Sequence, residues 1–297
     1  MRAARVVGPD VLRQVKLIEL RTRRLVSSLF TGEYRSVFRG QGIEFAEVRA
    51  YEQGDEFRAI DWNVSARMGS PYVKTFEEER ELTVLLVVDR SGSVDFGAPR
   101  TKQEVAVEVA AVLALAAARH NDRVGAVLFA DQVETVVPPA KGRRHALRVI
   151  RDLIAFQPRT RGTNLAAALA YASRLLSHRA IVAVVSDFRS AGWEQPLHRL
   201  AGRHEVVAIT VDDPRELHLP DAGWIELEDA ETGARQLVDT SDARTRLSLR
   251  FAEDERRLVR GRTLAAAQVD EVALTTDRPY AQALRDAFAR RARRLHR

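Results

Sequence analysis

The sequence predicts an α/β fold: a doubly wound, mostly parallel sheet with one antiparallel edge strand, preceded by an N-terminal helix and a small β- or loop-rich unit. Three observations predict it. Residues 82–88 form an apolar run of strand length without polar alternation, as expected of a strand covered on both faces. From Thr83 onward such runs alternate with segments of helical periodicity. Two of the runs are joined only by Phe129-Ala-Asp-Gln132, a link long enough for a hairpin but too short for a parallel crossover.

At the N-terminus, Asp10 can cap a helix whose apolar positions Leu12, Val15, Ile18, Val26 and Leu29 recur at helical spacing, with a stop near Gly32. Residues 34–74, rich in Gly, Arg, Asp and aromatics, read as a compact loop- or β-rich unit. The strands that follow are placed at 83–89, 123–129, 132–137, 181–186 and 205–211. Helices are placed near 102–118, 142–154, 164–177 and 193–201. A hairpin is expected in 220–239 around Thr232-Gly233, then a final strand at 269–275 and a helix at 278–294. These elements divide into an N-terminal part, 1–79, and a sheet domain, 80–297.

Composition excludes several classes. With 45% hydrophobic and 30% charged residues, the chain is globular rather than disordered or fibrous. Cysteine is absent, which removes disulfides, thiolate catalysis and thiolate zinc sites. No apolar stretch approaches the ~20 residues of a membrane-spanning helix, and the start, Met-Arg-Ala-Ala-Arg, has no secretory core, so a cytoplasmic location is expected. The net charge of +6 is a property of the C-terminal segment, where from Ser241 onward fourteen Arg face eight acids. The tail Arg290-Arg-Ala-Arg-Arg-Leu-His-Arg297 could hold nucleic acid, but it carries no aromatic residues for base stacking, and a cationic helix end suits the helix dipole equally well. No nucleic-acid partner is expected.

The chemistry is concentrated where the first buried strand ends. Leu82-Thr-Val-Leu-Leu-Val-Val-Asp-Arg-Ser-Gly-Ser93 delivers Asp89, Ser91 and Ser93 to the carboxyl edge of the sheet, where ligands of open α/β sheets gather. Thr163, just before a helix, and Asp187, just after a buried strand, reach the same edge. All five offer hard oxygens, which suit Mg²⁺, and also Mn²⁺ or Ca²⁺, rather than zinc or copper. Taken singly, each is as well explained as a turn or cap residue; their convergence points to a metal centre.

Here the chain resembles a von Willebrand factor A-type domain, whose metal-ion-dependent adhesion site consists of Asp-x-Ser-x-Ser, a separate Thr and a separate Asp. The resemblance implies that Asp89, Ser91, Ser93, Thr163 and Asp187 hold Mg²⁺ and that an acidic side chain of a partner completes its coordination. A second resemblance spans nearly the whole chain. Arg39-Gly-Gln-Gly-Ile-Glu-Phe45, Arg49-Ala-Tyr51, Gly54-Asp55, Arg58, Ile60-Asp61-Trp62, Ser65-Ala66-Arg67 and Val73-Lys74 are similar to the bacterial family catalogued as domain of unknown function fifty-eight. Asp122-Arg-Val-Gly125, Pro139-Ala-Lys-Gly-Arg-Arg144, Ser186-Asp-Phe188 and Asp213-Pro-Arg-Glu216 extend it. Asn164 departs from the Asp often found there, outside the five-residue set. The family resemblance implies partnership with a MoxR-type AAA+ ATPase and a client protein, hence a non-catalytic adaptor with chaperone-like character. The first rival is a Mg²⁺-dependent phosphohydrolase using Asp89, although the second Asp expected two residues on is Ser91. The other is nucleic-acid binding through the basic C-terminus. No Gly-x-x-x-x-Gly-Lys-Ser/Thr loop is present, so ATP hydrolysis by the chain itself is not expected.

Overall fold

The computed structural model describes residues 9–29, 42–52, 55–79, 82–97 and 100–295. The chain begins with α1 (Pro9–Leu29), followed by β1 (Gly42–Ala50), α2 (Trp62–Met68) and β2 (Tyr72–Glu79). Next come β3 (Thr83–Asp89), α3 (Lys102–Arg119), β4 (Arg123–Phe129), β5 (Val133–Ala140), α4 (Arg143–Ala155) and α5 (Leu165–Leu175). Then follow β6 (Ile181–Ser186), α6 (Glu194–Ala201), β7 (Glu205–Asp212) and the single turn α7 (Pro214–Leu217). The remainder is β8 (Trp224–Glu228), β9 (Arg235–Asp239), α8 (Ala243–Ala266), β10 (Asp270–Thr275) and α9 (Tyr280–Leu295). Two units result, Met1–Val37 with Thr83–Arg297, and Phe38–Leu82. α1 groups with the sheet, where it packs on α3 and α4, rather than with the small unit. α1 also starts earlier than expected, with Asp10 inside its first turn, where a carboxylate suits the helix dipole. The stop expected near Gly32 lies outside the described residues.

The small unit pairs β1 and β2 antiparallel, with a register irregularity between Phe45 and Glu47. It also contains a helix that the loop- or β-rich reading did not include. Asp61 caps α2 by accepting from the N–H groups of Asn63 and Val64 at 2.9 and 3.2 Å, and Gly69 ends it in the left-handed conformation. Ser65 Oγ donates to the Asp61 carbonyl and accepts from Tyr72 N–H, tying helix to strand. Asp55 receives a bidentate pair from Arg49 at 2.6 and 2.8 Å. Trp62, the first residue of α2, is 69% exposed. Residues 39–41, 53 and 54 of the family block lie outside the described residues.

In the large unit six strands form one sheet in the order β10-β7-β6-β3-β4-β5, parallel except for the β4–β5 pair. This is the expected fold class. Leu85, Leu86, Val87 and Val88 are fully buried because β3 is central and covered on both faces. Burying each such side chain contributes about 1.5–3 kcal/mol. The edge strand β5 extends beyond its expected end through Pro138 and Pro139, which an edge tolerates because one side of its backbone has no partner strand. Gly125 opposes this segment at a register shift, and a Cβ there would lie 2.7 Å from Val137 O and 2.8 Å from Pro139 N. Gly125→Ala is thus expected to destabilise the fold by about 1–3 kcal/mol, because backbone rather than a movable side chain must give way; an unshifted urea midpoint would refute this.

A further helix, α8, occupies residues that the sequence reading left unassigned. Among the described residues no helix is long and apolar enough to cross a membrane. The order in which strands are added reverses in the sheet between the parallel neighbours β3 and β6, with Val88 opposite Val185. Asp89 and Ser186 therefore meet at adjacent strand tips, in the crevice where open α/β sheets bind ligands.

Candidate metal centre

Asp89 ends β3 fully buried, and both its carboxylate oxygens are engaged. Oδ1 accepts from Ser91 N–H at 2.9 Å and Ser91 Oγ at 2.7 Å, and Oδ2 accepts from Ser186 Oγ at 2.6 Å. Ser91 Oγ lies 3.1 Å from Ser93 Oγ, so Ser186, Asp89, Ser91 and Ser93 form one continuous chain of oxygens. Burial, with the Asp187 charge adding to it, pushes the Asp89 carboxyl up to about 6, against the lowering effect of the serine hydrogen bonds. Arg90, between these residues, turns away from them, donating to the carbonyls of Leu153 and Phe156 at the end of α4.

The loop before α5 supplies Thr163. Its neighbour Arg161 accepts Gly92 N–H on its carbonyl at 2.8 Å, which sets the Thr163 loop beside the Ser91–Ser93 turn. Thr163 Oγ1 donates to Glu231 Oε1 at 2.5 Å, from the tip of the β8–β9 hairpin. The cap on α5 is Asn164, not Thr163, so capping does not account for the threonine.

Asp187 is also buried at this edge, but its carboxylate is held by a cation of the chain. Lys102 Nζ lies 2.9 Å from Asp187 Oδ2 and 2.7 Å from Glu216 Oε1, and the lysine is fully buried. Lys102 stands at the first turn of α3, where the helix dipole disfavours a positive charge. Burial pulls its ammonium down, but Asp187 and Glu216 outweigh burial and hold it above the usual lysine range. Phe188, immediately after Asp187, takes a positive φ of 56°, a strained setting for an aromatic residue. Its ring packs edge-on against Trp193 at 5.1 Å, and this buried contact holds the turn.

Three of the five expected residues, Asp89, Ser91 and Ser93, are thus linked by hydrogen bonds, Thr163 lies on the loop beside them, and Asp187 reaches the edge as the partner of a lysine. Sequence reasoning missed Ser186, Lys102 and Glu231. Ser186 was within reach, since it precedes Asp187 at a strand end. Lys102 and Glu231 arrive from distant elements with no local signal. The nearby acids Asp95 and Asp131 are exposed. The donor set fits Mg²⁺: it is all oxygen, two of its hydroxyls are already aligned, and an adjacent pair of acids with a raised Asp89 is the environment a divalent cation would relieve.

A second acidic group is differently disposed. Asp212, Glu216 and Glu253 offer carboxylate oxygens within 4.8 Å of one another. Arg189 lies 3.0 Å from both Glu216 and Glu253, and Arg260 lies 2.9 Å from Asp212. These cations fill the role an ion would have. Burial pushes the Asp212 carboxyl up, but the Arg260 hydrogen bonds and the charges of Arg260 and Arg257 prevail, leaving it below its ordinary 3.8. A depressed carboxylate stabilises the fold fully above its unfolded value and loses that contribution as pH falls. Stability is therefore expected to fall in wild type as pH drops below about 4. Asp212→Asn should be less stable at neutral pH and fall less on acidification, as read by urea midpoints across that range.

Comparison with known proteins agrees with the sequence resemblance. Residues 47–259 match the family described as "Protein of unknown function DUF58". An uncharacterised protein of Mycobacterium tuberculosis is 33% identical over 276 residues, covering 92% of this chain and 87% of that protein. The uncharacterised protein YeaD of Bacillus subtilis is 30% identical over 108 residues, 36% of this chain and 25% of its own length. Among solved structures, BatB of Bacteroides thetaiotaomicron aligns with 71% of this chain and 99% of its own at 15% identity and a TM-score of 0.45. The SpRpn10 VWA domain aligns with 69% of this chain and 94% of its own at 10% identity and a TM-score of 0.40.

Proposed function

We propose that this chain, which belongs to the DUF58 family, is a metal-dependent protein-interaction module that binds an acidic residue of a partner through Mg²⁺. The observation that carries the reading is the continuous chain Ser186–Asp89–Ser91–Ser93 at the strand tips beside Thr163. Ser91, Ser93 and Thr163 would hold the ion, with Asp89 fixing the Ser91 hydroxyl and balancing charge. When bound, the ion supplies a Lewis-acidic position for a carboxylate. Few direct carboxylates leave such an ion short of negative charge, so an incoming acidic side chain is favoured over water. The role of Asp187 would be electrostatic, because Lys102 holds its Oδ2 and the Arg189 N–H its Oδ1.

The buried Asp89 is poorly placed as a phosphatase nucleophile, since both oxygens already accept hydrogen bonds. This favours binding over catalysis. We further propose that the partner is a MoxR-type AAA+ ATPase, that the chain acts in the cytoplasm, and that it links that ATPase to a client protein. The test is a pull-down of purified protein against the candidate ATPase with Mg²⁺, with EDTA, and with Asp89→Ala plus Ser91→Ala. Binding that requires both the metal and these residues supports the reading. Binding that survives all three treatments overturns the metal-dependent contact.

A further inference from the structure

The β8–β9 hairpin ends over the candidate metal centre and presents a carboxylate to it. Its tip is stiff: Asp229 Oδ1 accepts the N–H groups of Glu231 and Thr232 at 2.9 and 2.8 Å, and Gly233 turns the chain at a φ of 72°. Three contacts press this tip onto the loops that carry Ser91, Ser93 and Thr163. Thr163 Oγ1 donates to Glu231 Oε1 at 2.5 Å. The Ala230 carbonyl lies so close to Gly92 that a Cβ there would meet its oxygen at 2.2 Å. Arg161, whose carbonyl holds Gly92, pairs with Glu228 at 3.3 Å. The rest of the hairpin is lightly held. β8 and β9 form a separate two-stranded sheet, and Trp224 and Leu237 are 67% and 62% exposed. A two-stranded ribbon has little stability of its own, so the acidic tip is seated by the very loops that would bind the ion.

We propose that Glu231 is an internal ligand of the metal centre: the carboxylate that first completes it belongs to this chain, and a partner's acidic side chain takes its place. The inference rests on the metal reading above. A hydroxyl donating to a carboxylate at 2.5 Å is a short, charge-assisted bond. An ion on the Thr163 oxygen would find Glu231 as an anionic oxygen donor beside it, of the type Mg²⁺ prefers. The partner then has a defined chemistry: an Asp or Glu on a segment slender enough to enter as the hairpin tip leaves. Its apparent affinity is reduced by the fraction of molecules whose tip is seated.

Mn²⁺ binding to the full chain tests this by electron paramagnetic resonance and water-proton relaxation. In Glu231→Gln, Mn²⁺ affinity is expected to fall about tenfold, and the relaxivity of bound Mn²⁺ to rise because water fills the freed position. Gly92→Ala, which pushes the tip and its Glu231 away while leaving every ligand side chain in the sequence, should raise relaxivity in the same way. Should it fail to fold, the conservative change at the partly exposed Glu231 decides alone. Unchanged affinity and relaxivity in Glu231→Gln would overturn the internal ligand and leave the metal centre standing. Failure of the wild type to bind Mn²⁺ would overturn both.

Discussion

Asp89→Asn is expected to abolish the thermal stabilisation that Mg²⁺ gives the wild-type chain while leaving the metal-free fold intact. A ligand that binds only the folded state at about a hundred times its dissociation constant stabilises by about 2.7 kcal/mol, or about 5 °C in a domain of this size. The variant keeps the shape of the carboxyl group and its acceptor oxygen for Ser91, but removes the charge that attracts the ion. In most buried sites losing a carboxylate would be costly. Among the described residues no cation pairs with Asp89, and its carboxyl is pushed up to about 6 by burial and by Asp187, so neutralising it relieves a cost. Metal response and intrinsic stability should therefore separate. Differential scanning calorimetry with Mg²⁺ and with EDTA reads both. A variant that still gains the wild-type increment in Mg²⁺ would sink the assignment of Asp89. A variant that fails to fold in EDTA would show instead that the charge is structural.

The same burial explains what could be read from the sequence. β3 was legible because a strand covered on both faces must be apolar throughout, and its abrupt end in Asp89-Arg-Ser-Gly-Ser93 marks the place where polarity returns. The antiparallel β4–β5 pair was legible from its short link. α8 was not, because its buried positions include Glu253 and Arg260 while Leu247, Phe251 and Leu258 face solvent, inverting the pattern that periodicity detects. Its N-cap Asp242, accepting from the N–H groups of Arg244 and Thr245, was the available signal. In the small unit, α2 was hidden by being only seven residues long, with its Trp62 exposed rather than buried. At the metal centre, local sequence identified the residues on the strand tips. It could not supply Lys102 or Glu231, which act across 85 and 68 residues of chain and depend on how α3 and the hairpin are placed in three dimensions.

Lys102→Met follows from that long-range contact. Methionine matches the stem of lysine in length and flexibility, so packing at the start of α3 is largely retained. Only the ammonium is lost, leaving Asp187 and Glu216 without their shared cation. Removing one member of a buried ion pair costs about 3–5 kcal/mol. Arg189, 3.7 Å from Asp187 and 3.0 Å from Glu216, takes up part of the charge, and relief of the dipole penalty at the helix start offsets some more, so about 3 kcal/mol is expected. An unchanged urea midpoint would refute the account of this pair. The response to Mg²⁺ then tells what Asp187 does. If Asp187 lies within the field of the ion, removing the competing ammonium makes the crevice more negative, and Mg²⁺ should stabilise the variant by more than it stabilises the wild type. If the Mg²⁺ increment is the same in both, Asp187 and Lys102 form a closed structural pair. The ion would then be held by Ser91, Ser93, Thr163 and Glu231, with Asp89 and Glu231 balancing its charge and Asp187 taking no part.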